Sequence, residues 1–144
     1  MMNQKIPISF QTISEAIRDF EFPKTDLVIG VGRGGVVPAG IIAHQLNADL
    51  KIVRVRYRDE DNNPQYEKPV IQCDLNWDFY SHFKILIVDD VAVTGKTLEI
   101  LREKLLDYEV KTFVLKGQAD LVLFPHIKTC VAWPWKISKD GKAQ

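Results

Sequence analysis

Apolar positions along the chain switch between two spacings, and each switch marks an element. Phe10, Ile13, Ile17 and Phe20 recur at three- and four-residue steps, predicting an amphipathic helix with Ser9 as its N-cap. DLVIGV (26–31) is a short apolar run ending in glycines, the mark of a buried strand. VVPAGIIAHQL (36–46) predicts a helix, with Pro38 tolerable only in its first turn. LKIVRVRY (50–57) alternates as a strand, and KILIVDD (84–90) is another buried one. TLEILREKLL (97–106) carries Leu98, Leu101 and Leu105 on one helical face. VKTFVL (110–115) and KTCVAW (128–133) complete the strands. RDEDNNPQYE (58–67) holds no core residue and is expected to be a long mobile loop, with Tyr57 and Arg58 either its hinge or a strand end. Strands alternating with helices predict an α/β fold: one domain over residues 1–144, built on a mostly parallel sheet with right-handed crossovers.

Composition narrows the classes of function. Apolar residues make up 46% and charged residues 26%, the balance of a soluble globular domain with a sizeable core. Acids and bases cancel at 19 each, so no charge excess points to nucleic acid or an anionic membrane. No apolar run has the length of a membrane span, and the first residues do not read as a signal peptide. Cys73 and Cys130 stand far apart in no metal spacing, and His44, His82 and His126 form no metal-binding pair. Reduced thiols and a cytoplasmic protein are the expectation.

Two strand ends carry the chemistry. GVGRGG (30–35) matches the GxGxxG pattern of dinucleotide folds, with Asp49 near where a ribose-binding acid would lie. Arg33 argues otherwise, because it sets a fixed cation in a turn where those folds rely on backbone amides. Glycines around one arginine suit an anion directly. VDDVAVTGKT (88–97) ends like a Walker A loop, but Asp90 stands where that loop needs its first glycine. The alternative is a phosphate monoester wrapped by backbone amides of 94–97 and the Thr94 and Thr97 hydroxyls at a helix start. Asp89 and Asp90 would repel that phosphate unless a sugar lay between, its hydroxyls donating to the carboxylates. Mg²⁺ held by one acid could bridge sugar oxygens to a pyrophosphate taken by the Arg33 turn. A 5′-phosphate, two hydroxyls and an anomeric pyrophosphate describe phosphoribosyl pyrophosphate (PRPP).

These residues carry a family resemblance. ILIVDDVAVTGKT (85–97) resembles the ribose-phosphate signature of the type I phosphoribosyltransferases, and VGRGGVVPAG (31–40) their pyrophosphate loop. The likeness runs from about Asp26 to Trp135 and is strongest to the small microbial xanthine–guanine and hypoxanthine enzymes. It implies a twisted, mostly parallel sheet flanked by helices, with a small hood from the chain ends. It implies that Gly32, Arg33, Gly34 and Gly35 hold pyrophosphate, across a cis Gly32–Arg33 peptide. Asp89 and Asp90 would hold the ribose hydroxyls, one of them through Mg²⁺, while Val93, Thr94, Gly95, Lys96 and Thr97 take the 5′-phosphate. Arg33, Asp89 and Asp90 are then the catalytic candidates. Lys116 would donate to an exocyclic oxygen of a purine-like base, and the backbone of Cys130 or Val131 would read the base edge. The loop 58–67 matches the family's lid. The products would be a nucleoside monophosphate and pyrophosphate, and the protein a homodimer or higher homo-oligomer.

Two positions depart from the pattern. Val93 stands where the 6-oxopurine enzymes usually carry the aspartate that takes the base's proton, and valine cannot move one. Cys130 stands where an aromatic stacking surface is more usual. Trp133 and Trp135 lie nearby, but a strand would turn Trp133 to the side opposite Cys130, which suits packing in the core or a dimer. Both changes fall on the base-recognition half, so a PRPP- or nucleotide-binding regulatory protein without turnover is the alternative.

Overall fold

The computed structural model of the chain describes residues 4–56, 70–71 and 82–136. A first short strand, β1 (Ile6–Pro7), leads into helix α1 (Phe10–Asp19). Ser9 Oγ caps α1 by accepting the Thr12 N–H at 3.0 Å. Ile13 and Ile17 are fully buried, each worth about 1.5–3 kcal/mol relative to exposure. Phe10, at the same spacing, stays half exposed and instead tilts against Trp135, ring centroids 6.0 Å apart.

Strand β2 (Leu27–Val31) is buried throughout and runs directly into α2 (Gly32–Leu46). This helix begins four residues earlier than its sequence pattern predicts, so Pro38 sits inside it rather than in its first turn. The glycines look like a loop, yet they are what lets the first turn seat on the sheet. A Cβ at Gly35 would come within 2.5 Å of Val88 O. Gly32 turns the corner at φ +56, a conformation open to glycine. No peptide among the described residues is cis, so the expected cis Gly32–Arg33 bond is not found: the left-handed glycine makes the turn instead. Asn47, also left-handed, ends α2.

Strand β3 (Asp49–Val53) stops short of the predicted 50–57, and β4 (Val55–Arg56) turns away to pair antiparallel with β5 (Val70–Ile71). The expected loop 58–67 lies outside the described residues. Strand β6 (Lys84–Ala92) carries the acid pair, α3 (Lys96–Lys104) follows, and β7 (Glu109–Gly117) runs beside β6. The sheet's last member is β8 (Leu121–Val122), which the sequence pattern did not reveal. The predicted strand 128–133 shrinks to β9 (Val131–Ala132), which pairs with β1 outside the main sheet. These two strands, from opposite ends of the chain, form the hood.

The main sheet has the order β3-β2-β6-β7-β8, parallel throughout. Alternation along β6 divides the core. Leu86 and Val88 face α1 and α2 with Ala39 and Ile42, whereas Ile85 and Ile87 face α3 with Leu98, Leu101 and Leu105. Helices on both faces explain why the central strands read as unbroken apolar runs.

Candidate active site

Because β2 and β6 are parallel neighbours in the register Gly30↔Val88, the turns after them open side by side at the carboxyl edge of the sheet. Open α/β sheets bind ligands at such an edge. Arg33 is exposed there, one residue past the left-handed Gly32.

The two acids have different surroundings. Asp90 is only 5% exposed, with its carboxylate against the α2 start, where a Cβ at Gly34 would lie 2.5 Å from Asp90 Cγ and Oδ2. Asp90 Oδ1 accepts the Val91 N–H at 2.7 Å, and Oδ2 forms an ion pair with Lys136 Nζ at 2.8 Å. That pair is close but not aligned as a hydrogen bond. Asp89 is partly exposed, and its Oδ1 accepts the Asp90 N–H at 2.8 Å. Burial, and then the neighbouring Asp90 charge, push the Asp89 carboxyl well above the usual carboxylate range, with Lys136 pulling it partly back.

Beyond Ala92 the chain turns through exposed Val93 and Thr94 to Gly95, whose φ of +79 starts α3. Lys96 N–H makes a long contact with Thr94 Oγ1 at 3.4 Å, and Glu99 N–H closes the first helical turn on Gly95 O at 3.0 Å. A helix start leaves its first amides without intrahelical partners, beside the Thr94 and Thr97 hydroxyls. Underneath, Arg102 Nη2 donates to Asp120 Oδ2 at 2.6 Å, and Thr112 N–H donates to the same oxygen at 2.9 Å. This pins α3 to the β7–β8 turn. Partial burial pushes the Asp120 carboxyl up, but hydrogen bonds from Arg102 and Thr112 outweigh it and hold it below its ordinary value.

Lys116 is half-buried on β7, opposite Val91 of β6 and thus at the same edge. Gly117 beside it has φ +116, and a Cβ there would run into Ala92 O, so no side chain would fit. Cys130 is an exposed free thiol, whereas Val131 is buried in the hood. The Cys130 carbonyl already accepts the Ile6 N–H at 2.9 Å. Trp133 is 2% exposed and stacks on Trp135 with centroids 5.6 Å apart and planes 3° apart, so it is core. The pattern gave no sign of Lys136, since nothing local in WPWK names a partner on β6.

Among the described residues, no cluster of three or more His, Cys, Asp or Glu could cage a metal, and no helix is long and apolar enough to cross a membrane. Mg²⁺ needs less than a cage, because one or two carboxylates with substrate oxygens and water complete its shell. Asp89, the more open hard-oxygen donor, fits that demand.

Two turns thus open at neighbouring parallel strand ends, one cationic and one acidic then hydroxylic. A family model described as the phosphoribosyl transferase domain matches residues 4–138. The chain belongs to this family of enzymes. It is similar to the xanthine-guanine phosphoribosyltransferase of Idiomarina loihiensis, 26% identical over 92% of this chain and 88% of that one. The corresponding enzyme of Cereibacter sphaeroides is 36% identical over 77 residues, 52% of this chain, and the match spans 44% of that relative's length. Among solved structures, the purine phosphoribosyltransferase of Pyrococcus horikoshii superposes with a TM-score of 0.73 at 30% identity, over 91% of this chain and 93% of that one.

Proposed function

We propose that the protein transfers the phosphoribosyl group of PRPP to a purine-like base, giving a nucleoside 5′-monophosphate and pyrophosphate. The observation that carries this reading is the side-by-side opening of the Arg33 turn and the Asp89–Thr97 turn at one sheet edge. Residues 94–97 take the 5′-phosphate and Asp89, the more open acid, takes the ribose hydroxyls. Gly32–Gly35 with Arg33 takes the pyrophosphate. Bound Mg²⁺, held by Asp89, would neutralise charge on the leaving group. The anomeric carbon loses its bond to pyrophosphate oxygen and gains one to a base nitrogen. Charge develops on the ribose as on an oxocarbenium ion, beside the carboxylates, while Arg33 receives the negative charge of the leaving group. No covalent intermediate with the enzyme is involved. Lys116 donates to the base's exocyclic oxygen, and the hood backbone at Cys130–Val131 reads its edge. Val93 takes no part in proton transfer, so the base gives its proton to water or binds already deprotonated.

The test is a spectrophotometric assay with PRPP, Mg²⁺ and a panel of hypoxanthine, guanine, xanthine and adenine. Turnover on at least one base, with stoichiometric pyrophosphate, is expected. Tight PRPP binding with no turnover on any base would favour the second reading, a PRPP- or nucleotide-binding regulatory protein. Val93, 77% exposed where an acid would serve, is the observation behind that alternative.

A further inference from the structure

Lys136 belongs to neither motif. It follows the Trp133–Trp135 stack in a tight turn, closed by its own N–H donating to Trp133 O at 3.0 Å. Its ammonium meets Asp90 Oδ2 at 2.8 Å, and while the Lys136 side chain is 41% exposed, that of Asp90 is 7% exposed. The Asp90 carboxylate is therefore boxed in by its own strand through the Val91 amide, by Gly34, and by Lys136. A carboxylate this deep depends on its counter-charge, because stranding a buried ion costs far more than the intact pair contributes.

We propose that Lys136 is a positioning residue for the Arg33 turn: its ammonium holds Asp90 against Gly34, and Asp90 props the start of α2 so that Arg33 meets the leaving pyrophosphate. This rests on the phosphoribosyl-transfer reading. Asp89, the more open acid, then faces the sugar, while Asp90 acts through the turn beside it. The same contact ties the chain-end segment bearing Cys130 and Val131 to the strand end bearing the acids. The base half and the phosphate half of the site are thereby joined by one ion pair.

The experiment compares Lys136→Gln, Lys136→Arg, Asp90→Asn and the Asp90→Asn/Lys136→Gln double variant. Steady-state kinetics give KM for PRPP and for the base separately from kcat. Calorimetry with Mg²⁺ and inorganic pyrophosphate, together with thermal unfolding, gives a readout that needs no turnover. Lys136→Gln should weaken PRPP and pyrophosphate binding by about tenfold or more, with a base KM change below about threefold. Lys136→Arg should keep most of the affinity, since the cation remains. The double variant should bind pyrophosphate better than Lys136→Gln alone, because no carboxylate is left stranded. Effects that simply multiply in the double variant would overturn the proposal. So would a Lys136→Gln protein that melts lower yet binds pyrophosphate as before, since the lysine would then be structural only. If the unaltered protein turns over no base, the functional reading fails, while the pyrophosphate and melting cycles still decide the coupling.

Discussion

Gly34 and Gly40 lie in the same helix, and one methyl group added to each should move stability in opposite directions. At Gly34 a Cβ would lie 2.5 Å from Asp90 Cγ and Oδ2, about 1 Å inside van der Waals contact. Neither side has room to yield. Asp90 is held by the Val91 amide and by Lys136, so swinging it out breaks the ion pair of a buried carboxylate. Lifting α2 off the sheet is costly as well, because it gives up the close packing of the helix start on the Val88 backbone. Overpacking of this kind costs about 1–3 kcal/mol, and part of a stranded charge adds to it, so Gly34→Ala should lose about 2–4 kcal/mol. At Gly40 nothing lies within 4 Å of the added atom. There the change only removes backbone freedom from the unfolded chain, and Gly40→Ala should gain about 0.5–1 kcal/mol. Thermal unfolding of ligand-free protein reads both, at about 2–4 °C per kcal/mol for a chain near this size. Removing the opposing carboxylate with Asp90→Ala should make Gly34→Ala milder. Equal melting shifts at the two glycines, or a Gly34→Ala penalty indifferent to Asp90→Ala, would refute the packing described around the acid.

Val93→Asp should raise kcat/KM on hypoxanthine or guanine by up to about 10²-fold, as a restored general base would. At 77% exposure it should leave the melting temperature nearly unchanged, and an unaltered rate on every base would remove the role given to position 93. Arg33→Ala should weaken pyrophosphate binding by about 10–10²-fold, the loss of charge-assisted hydrogen bonds, without altering unfolding; calorimetry with Mg²⁺ pyrophosphate measures it. Asp120 has a folded pKa below its unfolded value, so its contribution to stability is complete above about pH 4 and fades as pH falls through the depressed value. The stability gap between the unaltered protein and Asp120→Asn in urea titrations should therefore narrow below about pH 4, and a gap constant with pH would contradict the Arg102–Asp120–Thr112 network.

Local periodicity foretold the elements that bury a face of their own. The α1 stripe, the β2 and β6 runs and the α3 leucines each declare their structure within a few residues, because core contact dictates them one position at a time. What stayed hidden depends on a distant partner. The glycines of α2 read as a loop because their helical form is secured by β6 lying against Gly34 and Gly35, which no neighbour in sequence announces. Strand β8 is two residues long and is set in register by Asp120, whose N–H donates to Thr112 Oγ1 at 2.9 Å. The apparent strand at 128–133 has the right alternation but joins β1 in the hood, a choice made by tertiary pairing and not by pattern.

The same division runs through the candidate site. Turns whose backbone amides could grip phosphate can be formed by only a few residue types, so the Arg33 and Thr94–Thr97 segments stand out as short strings. Carboxylates are different, because adjacency in sequence says nothing of exposure. Along β6, the neighbours packed around each carboxylate decide which of Asp89 and Asp90 meets solvent. Asp90 finds Gly34 and Lys136, whereas Asp89 keeps part of its surface. A pair that looks symmetric in sequence is thus split by the fold into one buried, ion-paired acid and one that remains open at the sheet edge. Asp89→Asn should therefore abolish most Mg²⁺-dependent binding of PRPP while Asp90→Asn chiefly weakens the pyrophosphate end, and calorimetry with PRPP against ribose 5-phosphate separates the two. Equal losses on both ligands from both substitutions would return the acids to equivalence.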